Sequence, residues 1–212
     1  MSNKTSTIIA VALILVSFAA GIYFYPQLPD KMASHWNAQG EVDGYMSKFW
    51  ATFLFPLIAA GILLMFWVIR KIDPLRKNIE KFKKYFNILM IVLVAFFVFV
   101  YALTLAWNLG YEVNFQIFLF PAIGVLFFYI GVLMKHAKRN WFVGIRTPWT
   151  LSSDKVWDET HRIGGDLFKI SGIITITGFF FPAQAIYLIL IPILASTIFV
   201  VVYSYLLYRK ES

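Results

Sequence analysis

Apolar residues come in six long stretches along this chain, with the polar residues gathered between them. The stretches run about Thr7 to Tyr25, Phe49 to Ile69, Tyr85 to Trp107, Phe115 to Met134, Leu167 to Phe181 and Ala185 to Tyr208. A helix needs roughly 20 apolar residues to cross the hydrocarbon core of a bilayer. All but the fifth meet that length. The fifth is short and holds Lys169, placed near one end where a long cationic side chain can snorkel to the interface. The expectation is an all-α polytopic membrane protein with six transmembrane helices as three consecutive helical hairpins. A re-entrant hairpin for the last two stretches is the competing arrangement.

The basic residues orient these spans. Of the nineteen Lys and Arg residues, only Lys31 and Lys48 fall in segments opposite the N-terminus. Cytoplasmic loops carry the excess of Lys and Arg, so both termini are expected in the cytoplasm. Lys4 and the small residues from Ser17 to Gly21 imitate a signal peptide. The apolar run continues through Tyr25, longer than the usual h-region of about 7–15 residues, and reads as a retained anchor. Each even span carries a proline toward its outer end and a basic stop at its inner end: Pro56 then Arg70, Pro121 then Lys135, Pro192 then Arg209. Such prolines bend helices and free backbone carbonyls. Three units follow: 1–70, a first hairpin with an extracellular HWNxxGxxDG loop; 71–134, a basic inner segment and second hairpin; 135–212, a cytoplasmic segment and third hairpin.

Composition agrees. The chain is 60% hydrophobic and 14% charged, against about 25% charged in soluble domains. The net charge of +8 first suggests nucleic acid, but the charges cluster at the ends of apolar runs, so no direct nucleic-acid binding is expected. There is no cysteine, which excludes disulfides, thiolate metal sites and a cysteine nucleophile. No cofactor is expected.

Three polar segments carry the candidate chemistry. In DPLRKNIEKFKKYF, Asp73 is placed to cap a helix with Pro74 at its first position. Leu75, Ile79, Phe82 and Phe86 follow at helical spacing, which predicts an amphipathic helix lying on an anionic inner leaflet. Docking of a cytoplasmic partner is the rival use.

The outer segment YPQLPDKMASHWNAQGEVDGYMSK is long for a mere connection. Pro26 and Pro29 stiffen its entry, and Gly40 and Gly44 permit turns. His35, Glu41 and Asp43 form a weak candidate set for a divalent metal. Trp36 and Tyr45 suit the membrane interface or the grip of a peptide or lipid.

In the inner segment NWFVGIRTPWTLSSDKVWDETHRIGG, Thr150 or Ser153 is placed to cap a helix starting near Asp154. Asp154, Trp157 and His161 then share one face, Asp158 and Arg162 pair at i, i+4, and Gly164 and Gly165 allow a break or close packing. Gly172 and Gly178 allow close helix approach. Two readings stay open: a re-entry segment anchored by Trp141, Trp149 and Trp157, or a polar site of Arg146, Asp154 and His161 at the bundle mouth.

The outer motif, with Pro29, His35, Trp36, Asn37, Gly40, Asp43 and Lys48, resembles the small membrane module called domain of unknown function 1648. The inner one resembles the SdpI-type immunity family, through Asn140, Gly144, Arg146, Thr147, Trp149, Thr150, Trp157, His161 and Gly164. The resemblance implies a polytopic plasma-membrane protein, prokaryotic, that protects its cell from a secreted peptide toxin. It also implies, where a partner exists, signalling by holding a cytoplasmic winged-helix repressor at the membrane. On this reading Trp36 and Tyr45 supply contact area to the toxin, Glu41 and Asp43 attract its cationic groups, and the bilayer is the third partner. A membrane-embedded metal-dependent hydrolase is the enzymatic alternative. It would draw on His35 with Glu41 and Asp43, or on His161 with Asp154 and Asp158, and neither set has the spacing of a recognised motif. A small-solute transporter is the other, with Asn87, Asn108, Gln116, Thr175, Thr177 and Gln184 as its polar groups.

Overall fold

In the computed structural model, which describes residues 1–37 and 39–211, the apolar stretches fold as long helices. They are α1 (Asn3–Phe24), α2 (Lys48–Ile72), α4 (Lys83–Asn108), α5 (Phe115–Met134), α7 (Asp154–Thr177) and α8 (Ala185–Glu211). Two short helices, α3 (Arg76–Lys81) and α6 (Pro148–Ser152), lie at one end of the bundle. Two strands, β1 (Lys31–Trp36) and β2 (Val42–Ser47), lie at the other. The fold is therefore mostly helical rather than all-α. Among the described residues, five helices are long and apolar enough to cross a membrane: α1, α2, α4, α5 and α8. Large apolar side chains face outward along them, with Leu15, Leu64 and Ile198 about 60% exposed. That is the pattern of an integral membrane protein, whose surface meets lipid rather than water.

The exception is α7. Its helix begins at Asp154, where a helix was expected, runs unbroken past Leu167, where the apolar stretch begins, and ends at Thr177 rather than Phe181. Charged and polar residues fill its first half, so its 24 residues lack the long apolar stretch that the other five have. Ser153 caps it, accepting a hydrogen bond from Val156 N. Gly164 and Gly165 do not break it. They let α7 lie against α5, the most extensive helix–helix contact in the molecule. Gly131 of α5 faces Gly165, and Gly124 faces Gly172. A Cβ at Gly165 would stand 2.7 Å from the Gly131 carbonyl oxygen, and one at Gly124 would stand 2.6 Å from that of Gly172. Backbones this close gain dispersion contacts that larger residues would forbid. The tightest packing thus lies between the expected hairpins rather than within them. Likewise α4 packs on both α1 and α2.

Pro56, Pro121 and Pro192 all lie inside helices. Pro192 leaves the Leu188 carbonyl without its helical donor. The Thr175 hydroxyl of α7 donates to that oxygen at 3.3 Å, and the Ser171 hydroxyl donates to the Pro192 carbonyl at 3.1 Å. The Thr175 hydroxyl also reaches the Ser171 carbonyl of its own helix at 2.9 Å, so the neighbouring helix brings a shared donor to the carbonyl that the proline frees.

The segment after α2 also departs from expectation. Ile79, Phe82 and Phe86 are buried, packed in one cluster with Phe66, Leu133, Ala137 and Trp157. The amphipathic face meets protein, not a leaflet, because the segment from Lys135 onward supplies an apolar surface at that end. Asp73 does turn the chain: Oδ1 accepts from Leu75 N at 2.6 Å and Oδ2 accepts from Trp141 N at 3.0 Å.

Candidate functional site

At one end of the bundle the outer motif forms a β-hairpin. β1 and β2 pair antiparallel, Met32 opposite Met46 and Ala33 opposite Tyr45, with irregularities around His35. Asn37 builds the turn: its Oδ1 accepts from Gln39 N and Glu41 N, and its Nδ2 donates to Glu41 at 3.1 Å. Gly40 takes φ +84° there, a conformation that costs glycine little. Gly44 stands across from His35, where a Cβ would lie 2.8 Å from the histidine Cβ.

The hairpin is clamped to the helices beneath it. The Asn108 side chain at the end of α4 pairs with the Ala33 backbone, Oδ1 accepting from its N–H at 2.8 Å and Nδ2 donating to its carbonyl at 3.0 Å. The Trp36 ring stacks on Phe115 at 4.0 Å and meets Trp107 edge-on. Gln116 donates to the Asn37 carbonyl. Trp36 is thus a docking plug, not a ring held out to a ligand. What the hairpin presents outward is His35, Asp43 and Tyr45. His35 Nδ1 and Asp43 Oδ1 lie 2.5 Å apart, and both side chains are well exposed. Tyr45 is 57% exposed, with Lys31 Nζ over its ring. Glu41 turns to Asn37 instead. Among the described residues no three His, Cys, Asp or Glu side chains group to hold a metal. Pro29 is exposed at the hairpin entry, and Lys48 sits over the Tyr25 ring.

At the opposite, basic end, residues 136–161 fold into a cap. Asn140 is fully buried and uses its whole amide. Its Oδ1 accepts from Phe142 N and Val143 N; its Nδ2 donates to the Lys138 and Val143 carbonyls. Trp157 is also fully buried and donates from Nε1 to the Ala137 carbonyl at 2.8 Å. Its ring stacks on His161 at 4.0 Å. His161 Nδ1 lies 2.8 Å from the Trp157 carbonyl, and Nε2 lies 2.9 Å from Ile145 N. A carbonyl accepts and an amide N–H donates, so the ring is neutral with its proton on Nδ1. Burial pushes its pKa down to about 4, against smaller opposing effects of the Trp157 carbonyl and Asp158. Gly144 passes directly over the ring with φ +116°. Thr147 caps α6 in a reciprocal box with Thr150, whose hydroxyl also donates to the Ile145 carbonyl. Thr147 further meets Ser204 of α8 at 3.2 Å.

The polar trio does not form. Asp154 pairs with Arg139 at 2.8 Å, His161 is sealed in the cap, and Arg146 donates to the Trp141 carbonyl. Nor do Asp158 and Arg162 pair; Asp158 binds Lys138 and Arg162 binds Glu159. Trp157 is core rather than an interfacial anchor, while Trp149 packs on Tyr205 and Trp141 is half exposed. Gly164 is buried against Met134 and Ile145.

This arrangement has relatives. Residues 12–60 match the family described as Domain of unknown function (DUF1648), and residues 136–204 match the SdpI/YfhL protein family. The chain is 26% identical over 204 residues to the protein named Immunity protein SdpI of Bacillus subtilis (strain 168), covering 96% of each. The chain is thus similar to an SdpI immunity protein along nearly its whole length. No solved structure matches the chain. The SdpI match begins at His136, where the cap begins, and runs through α7 into α8. The first match spans most of α1, the whole hairpin and the first half of α2.

Two organising residues, Asn108 and Asn87, stand in the sequence only as polar groups of a transporter, and a third, Phe115, is not singled out there. Asn108 looked like a polar group inside a span and is the hairpin's clamp. Asn87 is buried between Arg70 and Asn3, accepting from one and donating to the other. Phe115 gave no signal distinguishing it from the other phenylalanines.

Proposed function

We propose that this protein is a membrane immunity protein that protects its cell against a secreted antimicrobial peptide, and that it acts by binding rather than catalysis. The observation that carries this is the full-length similarity to a protein named for immunity. In the proposed topology the basic end is cytoplasmic, and α7 joins the other five as a sixth span. The pairing of Gly124 with Gly172 and Gly131 with Gly165 supports that, since it carries α7 along most of the depth of α5. The positive-inside bias supports the orientation.

On this reading the hairpin meets the toxin. His35, Asp43 and Tyr45 form its outward surface, in which an aromatic ring supplies contact area at little entropic cost and a carboxylate attracts cationic groups. The hairpin touches α2 and α4, so a bound peptide would bias how these helices sit relative to the cap. A cap that exists in two states of different toxin affinity would report binding to a cytoplasmic repressor.

The test is a challenge of a sensitive host with the secreted peptide toxin against which the Bacillus subtilis SdpI relative gives immunity. Wild type should protect. The double variant His35→Ala, Asp43→Ala should fail at unchanged membrane abundance, because both side chains are exposed and carry little of the fold. Full protection by that variant would remove the hairpin from recognition, and no protection by wild type would remove the immunity assignment for that toxin.

A further inference from the structure

A cleft of about 590 Å³ opens on the side of the bundle at its basic end. Met65 and Ile72 of α2 form one wall, Ile130 of α5 the other, and Leu93 of α4 the back. The cap closes the basic end with Phe142 and Arg146. The volume falls in the range of roughly 300–1,000 Å³ typical of sites for small organic ligands. Its walls are apolar, and Met65 and Ile72 at the rim are about half exposed.

The cation in its floor is unlike its neighbours. Between residues 135 and 169 the cations Lys135, Lys138, Arg139, Lys155, Arg162 and Lys169 each have a carboxylate partner within 3.1 Å. Arg146 has none among the described residues. Its guanidinium donates to the Trp141 carbonyl, and Arg146 is among the residues that line the cleft. The loop that holds it is rigid, fixed by Asn140 on one side and by His161 and Thr150 on the other. An apolar slot open toward lipid, ending at a fixed cation without a counter-charge, is complementary to an acyl chain that carries an anion at its end. A planar guanidinium also matches phosphate oxygens in a bidentate fork.

We infer that the cleft holds an anionic phospholipid from the leaflet at the basic end, one acyl chain between α2 and α5 and the phosphate on Arg146. This does not rest on the immunity reading. The lipid would fill the gap between α2 and α5 and couple the cap to both.

Native mass spectrometry of the purified full chain, with added phosphatidylglycerol or phosphatidylcholine of identical acyl chains, tests it. Wild type should retain one phosphatidylglycerol roughly fivefold more strongly than phosphatidylcholine, the weight of one cation near an anionic headgroup. Arg146→Gln should erase that preference and Arg146→Lys keep most of it. Met65→Trp, at the exposed rim where folding is tolerant, should weaken retention of both lipids. The inference is overturned if Arg146→Gln keeps the preference, if Met65→Trp retains both lipids unchanged, or if wild type retains a co-purified peptide in place of lipid.

Discussion

His161 Nε2 receives the backbone N–H of Ile145 at 2.9 Å, directly beneath Gly144. One hydrogen bond thus ties helix α7 to the loop that carries Arg146. It can form only with a neutral ring, and only where residue 144 has no side chain.

Acid should therefore weaken the fold through His161. A histidine in the unfolded chain titrates near 6.5, and this one near 4. Above pH 6.5 neither state binds the proton, and the native structure keeps its full stability. As pH falls toward 4 the unfolded chain takes up a proton that the folded chain refuses. The expected loss is about 3 kcal/mol across that window. Thermal unfolding of the detergent-solubilised protein at stepped pH measures it. His161→Gln should be less stable at pH 8 but flatter between pH 6.5 and 4.

Gly144→Ala should be among the most damaging single-methyl changes available. Its φ is +116° and the imidazole occupies the space a Cβ would need. A loss of about 2 kcal/mol or more is expected. Gly61→Ala is the contrast: nothing lies within 4 Å of a Cβ there, and its helix should gain up to about 1 kcal/mol. Melting temperatures of the two variants, moving in opposite directions, check both claims.

Gly131→Val should push α5 from α7. The Gly165 carbonyl lies 2.5 Å from where the first added carbon would stand, and two helical backbones cannot both give way. Limited proteolysis should cut the variant within the cap or the α7–α8 connection, where wild type resists.

Trp36→Ala and Tyr45→Ala should separate folding from recognition. Trp36 fills a slot between Phe115 and Trp107, so its loss should cost about 3 kcal/mol and lower membrane abundance. Tyr45 is exposed, and its loss should leave abundance unchanged while weakening protection against the peptide. Equal effects on abundance would undo the division of roles between these two rings.

Asp43→Asn should cost little stability, since an exposed side-chain pair such as Asp43 with His35 contributes about 0–1 kcal/mol. The same change should reduce protection if a cationic peptide group meets this carboxylate. Immunoblotting of membranes beside a killing curve reads both.

Periodicity and charge alone were enough for the parts of this protein that depend on local composition. The bilayer imposes a length on each apolar run and a sign on each flanking segment, so five helices, their lipid-facing surfaces and a basic end were legible. A helix cap at Thr150 or Ser153 was legible too, because capping is a contact within four residues, and Ser153 is the one that caps α7. Pairings between distant segments were not. Nothing near Trp36 in sequence says that Phe115 will stack on it or that Asn108 will clamp Ala33, so a docked β-hairpin looked like an open loop with a free aromatic. Ile79 and Phe82 looked like lipid-facing residues because the surface that covers them is supplied from beyond Lys135. Arg146, Asp154 and His161 looked like one site because they are polar and close in sequence. Side chains choose partners by distance in space, and the fold gave Asp154 to Arg139, sealed His161 under Gly144, and left Arg146 facing the cleft.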